Sequence, residues 1–178
     1  EEEAGSAELL AGPAAPGKLL ERAYRAANPG TDKPFSLDAL LASPRPRELE
    51  QLSYTFAVSG LTLAGITHLV RHRMQSVIVP PIQSVDHSRF ILPDTIRTNP
   101  AALEIYRNAL TEANRIARAL CEDPALRPYS CYYAVSGNLM DVMTTLNARE
   151  LMLIIRLRTC TRAQWEIRHV AMGLLRLL

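Results

Sequence analysis

Apolar and polar residues alternate between Leu52 and Ser59, with Leu52, Tyr54, Phe56 and Val58 on one side and Ser53, Thr55, Ala57 and Ser59 on the other. A period of two describes a half-buried strand, and Gly60 is the expected stop. The spacing then changes. From Leu61 to His72 the apolar positions Leu63, Ile66, Leu69 and Val70 follow helical spacing, predicting a helix that carries Arg71, His72 and Arg73 at its C-terminal end. Exposed carbonyls at a helix C-terminus favour cations, which is a structural reason for three basic residues there.

Upstream of this unit, residues 1–17 show no periodic pattern and include Gly12-Pro13-Ala14-Ala15-Pro16-Gly17, so a flexible lead-in to a single domain over 18–178 is expected. Lys18 to Ala27 predicts a helix ended by Asn28-Pro29-Gly30, and Ser36 caps a short one running through Leu41. Downstream, Met74 to Asn99 lacks sustained periodicity, and its prolines restrict it to loop or short strand. A connection this long in a small domain usually has a function.

Asn99-Pro100 reads as the cap and first residue of a long helix through Leu120, and Tyr129 to Leu146 as one or two strands with Met140, Val142, Thr144 and Leu146 on one side. Asn147, followed three residues later by Glu150, has the form of a capping box and opens a helix to about Arg158. Thr161 is the expected cap of a last helix with Trp165, Arg168, Ala171, Met172 and Leu175 on one face, Trp165 serving as a core anchor. The fold class is therefore α+β, a mixed sheet flanked by long helices.

At 178 residues the chain is long enough to bury a substantial core. Its net charge of +2 argues against a general nucleic-acid binder. Cys121, Cys131 and Cys160 form an odd set without CxxC spacing, which argues against a disulfide scaffold and against a zinc site. No apolar run suffices for a membrane span, and a chain beginning Glu1-Glu2-Glu3 has no signal-peptide pattern, so a cytoplasmic protein is expected.

The sequence contains no Gly-rich phosphate loop, metal-ligand spacing or catalytic triad. Two separated motifs carry more information. Asn147-Ala148-Arg149-Glu150-Leu151-Met152 continues through Arg156-Leu157-Arg158 to Ala163-Gln164-Trp165-Glu166-Ile167-Arg168, and Arg71-His72-Arg73 stands far upstream. Together, in this order, they resemble the flavin-dependent thymidylate synthases. The resemblance covers roughly residues 18 to 178, with Glu50 before the first strand where the family has Phe-Glu-His.

The resemblance implies FAD held by Arg71, His72, Arg73, Asn147 and Arg149, and a uracil nucleotide, dUMP or UMP, at Arg158 with Glu50. It implies transfer of a methylene from methylenetetrahydrofolate to C5 of the base, and its reduction to methyl by a hydride from reduced flavin that NADPH regenerates. It also implies a homotetramer with shared sites. On helical geometry, Asn147 and Arg158 share an azimuth about 16 Å apart. Asn147 is equally well explained as a helix cap; for Arg158 the substrate role is the favoured reading and a cation at a helix end the alternative.

After the triplet the chain departs from the family pattern. Only Ser76 stays in register, Pro81 and Gln83 take the places of a serine and an arginine, Cys131 falls near an expected arginine, and Leu153 replaces His or Asn. If an insertion shifts the register, Ser84 or Arg89 takes over the substrate role. These departures suggest a changed substrate, such as UMP in nucleoside-antibiotic synthesis. They equally suit a homologue that binds flavin and nucleotide but has lost methyl transfer.

Overall fold

The computed structural model describes residues 5–178. Its four strands are β1 (Ser6–Ala11), β2 (Ser53–Thr62), β3 (Gln75–Ile78) and β4 (Leu139–Asn147). They form one sheet in the order β1-β2-β4-β3, and every pairing is antiparallel. The α+β class holds, but the sheet is not mixed. No βαβ crossover joins neighbouring strands, which is what parallel pairing would require.

The centre of the sheet is the β2–β4 ladder, with Phe56 opposite Thr144 and Val58 opposite Val142. The expected alternation is present, with Phe56, Val58, Met140, Val142 and Leu146 all buried. The strand does not end at Gly60. Gly60 adopts φ +70° where the β2–β4 register shifts between Val58 and Leu61, and the strand continues to Thr62. A bulge residue in left-handed conformation suits glycine, and its N–H donates to Asp141 Oδ1 at 2.7 Å.

The region expected to be a lead-in without an element instead contains β1, which pairs along β2 and packs Ala7 and Leu9 against the core. Among the described residues the α-helices are α1 (Pro16–Ala27), α2 (Leu37–Leu41), α3 (Leu63–Leu69), α4 (Asp94–Arg97), α5 (Pro100–Glu122), α6 (Ala148–Arg158) and α7 (Trp165–Arg176). Ser36 caps α2 and Asn99 caps α5, each accepting from a backbone N–H three residues on. The helix after β2 is shorter than its apolar spacing suggested. It stops at Leu69, and the basic triplet lies in the link to β3.

One face of the sheet is covered by α3, α6 and α7, whose Ile66, Leu69, Leu151, Ile154, Ile167, Val170 and Leu174 join the strand residues in the main core. The packing face of α7 differs from the expected one. Glu166, Ile167, Val170, Ala171 and Leu174 are buried, while Trp165 is 46% exposed and so does not anchor the core. The cap is Gln164, which accepts from the Ile167 N–H, rather than Thr161. Glu166 faces inward on the side of α7 that packs Ile167, Val170 and Leu174 into the core. Its carboxylate, 0% exposed, accepts from the Thr62 N–H at 2.6 Å and from the Thr62 hydroxyl at 2.5 Å.

Candidate functional site

The carboxyl end of β4 runs directly into α6, and this junction carries most of the chemistry. Asn147 Oδ1 accepts from the Glu150 N–H at 2.9 Å, so Asn147 is the cap of α6. The reciprocal half of a capping box is not used. The Glu150 carboxylate instead reaches His72, whose Nδ1 lies 3.2 Å from Glu150 Oε1. At the far end of the same helix, Arg158 Nε donates to His72 Nε2 at 3.0 Å. His72 and Glu150 are buried, whereas Arg71 and Arg73 on either side of His72 are exposed.

Burial lowers the pKa of His72 below the ordinary histidine value, and the neighbouring Arg158 charge pushes in the same direction. The hydrogen bond and charge of Glu150 oppose both effects. The result is a neutral imidazole between a carboxylate and a guanidinium.

A second pair ties the start of α6 to the turn before β2, where Arg149 forms an ion pair with Glu50. Beside it opens a groove of about 580 Å³, lined among others by Glu50, Met74, Asn147, Arg149, Met152, Leu153 and Arg156. Sequence reasoning missed Met74, Met152 and Arg156 as lining residues, and Glu150 as the partner of His72. A pattern signal existed for Met152, Leu153 and Arg156, since three large side chains on one turn and a half of α6 lie away from its buried stripe of Leu151 and Ile154. Nothing local points Glu150 towards a residue 78 positions away.

The structure thus brings together Glu50, His72, Asn147, Arg149 and Arg158 around α6. Ser84 and Arg89 are engaged elsewhere. The Ser84 hydroxyl donates to the Pro81 carbonyl at 2.7 Å, and Arg89 forms an ion pair with Asp141, near the start of β4 rather than at its α6 end. Arg89 and the Gly60 N–H together hold the Asp141 carboxyl below its usual range, the Arg89 hydrogen bond being the larger cause. Cys131 donates its thiol to the Pro128 carbonyl.

Residues 14–178 match the family model described as thymidylate synthase complementing protein. The chain belongs to the flavin-dependent thymidylate synthase family. Relatives named flavin-dependent thymidylate synthase include one from Geobacter sulfurreducens, 30% identical over 80% of this chain and 63% of its own length. Another, from Sulfurisphaera tokodaii, is 34% identical over 71% of this chain and 50% of its own. The chain therefore spans about half to two thirds of the length of these relatives. Among solved structures, a thymidylate synthase X from Helicobacter pylori determined with FAD and dUMP aligns with a TM-score of 0.71. That alignment covers 98% of this chain and 93% of the other at 19% identity, which establishes a shared fold.

Among the described residues no helix is long and apolar enough to cross a membrane, and no cluster of three or more His, Cys, Asp or Glu is arranged to hold a metal ion. The flavin-dependent thymidylate synthase motifs read in the sequence map onto the two ends of α6, the link that carries His72, and the first turn of α7.

Proposed function

We propose that this protein methylates C5 of a uracil nucleotide, using methylenetetrahydrofolate, bound FAD and NADPH. The observation that carries this reading is the convergence of Arg158, His72 and Glu150 at α6 beside the groove that Asn147 and Arg149 line. The groove chemistry suits a flavin dinucleotide. Met74, Met152 and Leu153 offer apolar surface for a ring, and Arg149 and Arg156 offer guanidinium groups for phosphate. The exposed Arg71 and Arg73 supply further cations. When bound, the flavin provides the hydride.

The protein's own contribution is placement and charge. Arg158 Nε is occupied by His72, while its two Nη nitrogens make no hydrogen bond among the described residues. A planar fork held at one corner can donate to the carbonyl oxygens of uracil and stabilise negative charge that develops on the ring. Asn147 contributes by starting α6 in a fixed direction, in addition to any cofactor contact.

Exposed Met74, Met152, Leu153 and Leu157 form apolar surface at the groove and along α6. This supports a homotetramer in which another copy completes each site. The unconventional loop supports UMP as well as dUMP as substrate, and a place in nucleoside-antibiotic synthesis if UMP is preferred.

The engagement of Ser84 with Pro81 and of Arg89 with Asp141 favours one second reading, a binding homologue without methyl transfer. The deciding assay supplies FAD, NADPH, methylenetetrahydrofolate and either nucleotide, and detects 5-methyluracil product by mass. Product from either nucleotide is expected. Bound, reducible flavin with no product from either would favour the second reading.

A further inference from the structure

The link after α3 holds a buried imidazole between two charged side chains from opposite ends of one helix. A guanidinium has no acceptor, so the 3.0 Å contact from Arg158 Nε requires a lone pair on His72 Nε2. The proton of the neutral ring must then sit on Nδ1, where Glu150 Oε1 is 3.2 Å away and accepts it. Glu150 is itself held in place. Its backbone N–H donates to the Asn147 cap, so the first turn of α6 directs the carboxylate at the imidazole. The tautomer of His72 is therefore determined from both sides.

We propose that His72 is the positioning residue for Arg158: Glu150 holds its Nδ1–H, its Nε2 receives the Arg158 Nε, and the two remaining guanidinium nitrogens are thereby aimed at the uracil nucleotide. This inference rests on the reading of Arg158 as the nucleotide contact. It gives His72 a task that needs no flavin contact, and gives Glu150 a task beyond helix capping.

Protonation of His72 would place a hydrogen on Nε2, remove the acceptor and set an imidazolium against the guanidinium. The charged groups facing the ring are Glu150 and Arg158, both from α6. Its chain neighbours Arg71 and Arg73 are exposed. Burial and the Arg158 charge lower the ring's titration point from the ordinary histidine value. The arrangement is thus intact at neutral pH and released on acidification.

The test combines histidine ¹⁵N NMR with calorimetric dUMP and UMP binding between about pH 5 and 8, the interval in which histidines ordinarily titrate. Flavin content is measured for every variant. His72 is expected as the Nδ1–H tautomer, and E150Q should lower its titration point further by removing the carboxylate that favours the charged ring. The nucleotide dissociation constant should rise roughly ten- to a hundredfold in H72A, the scale of one lost charge-assisted hydrogen bond.

H72Q, whose amide can both donate to Glu150 and accept from Arg158, should recover part of that loss and abolish the acid limb seen in the wild type. An Nε2–H tautomer, or an acid limb that persists unchanged in H72Q, would overturn the positioning role alone. Absence of nucleotide binding by the wild type at every pH, with the tautomer as expected, would overturn the nucleotide reading and the positioning role with it.

Discussion

Glu166 is fully buried and accepts two hydrogen bonds from a single residue, Thr62, with its two oxygens at 2.6 and 2.5 Å from the Thr62 nitrogen and hydroxyl. The pair joins the first turn of α7 to the start of α3, the helix that leads into the basic triplet. Removing the carboxylate leaves the buried Thr62 N–H without its acceptor. Glu166→Ala should therefore destabilise the fold by about 3 kcal/mol, and Glu166→Gln by less, since its amide oxygen can still accept. Urea unfolding midpoints measure both, and an unshifted midpoint in the alanine variant would remove this anchor from the account.

Gly65 tests the same junction sterically. A methyl group there would sit 2.7 Å from Glu166 Oε2 and 2.8 Å from Leu61 Cδ1, both inside the core. Gly65→Ala should cost about 1–3 kcal/mol through overpacking, despite the better helix propensity of alanine. Thermal unfolding of this single variant decides whether the junction yields.

Arg71 and Arg73 are exposed, so replacing both by alanine should leave stability within about 0.5 kcal/mol of the parent. Flavin absorbance in the purified protein should nevertheless be lost. Stoichiometric flavin in a folded double variant would place the cofactor elsewhere.

Arg158→Ala should damage turnover more than Ser84→Ala. The first removes the fork proposed to position substrate and stabilise charge, whereas the Ser84 hydroxyl already serves the Pro81 carbonyl. A drop in kcat/KM of about two orders of magnitude or more is expected for Arg158→Ala, and little change for Ser84→Ala. Equal losses would bring Ser84 into the site.

Assembly can be read by light scattering. The native protein should run as a tetramer, and Leu153→Glu together with Leu157→Glu should dissociate it, because both side chains are exposed on α6 and a charge there opposes burial against another copy. A monomeric wild type that turns over substrate would sink the shared-site reading.

The sequence made some of these elements plain and concealed others for identifiable reasons. The alternation in β2 and β4 survives in the structure because both are central strands with one face in the core. β1 is a six-residue edge strand, and Leu10 on its exposed side interrupts the polar positions that would have revealed it. At Gly60, a residue that normally punctuates a strand serves as a bulge, because a cross-strand carboxylate receives its N–H.

The site divides in the same way. Asn147 and Arg158 are visible through local spacing and through motif resemblance. The bond from Arg158 to His72 joins residues 86 positions apart, and only the packed fold brings them together. Trp165 misled because its size suggests a core residue, while the side of α7 that faces inward is the one carrying Glu166, Ile167, Val170 and Leu174.

The β2–β4 ladder has a consequence for how the chain acquires this structure. Ser53 pairs with Asn147 and Thr62 with Leu139, so the middle of the sheet forms only by closing loops of about 75 to 95 residues. Non-local pairing of this kind slows folding, and on the ribosome β2 must wait with one side unpaired until β4 emerges. The interval is when the chain is most exposed to aggregation. Substitutions in the ladder, such as at Val58 or Val142, should therefore slow refolding, whereas changes at the outer surface of α6 should leave that rate intact.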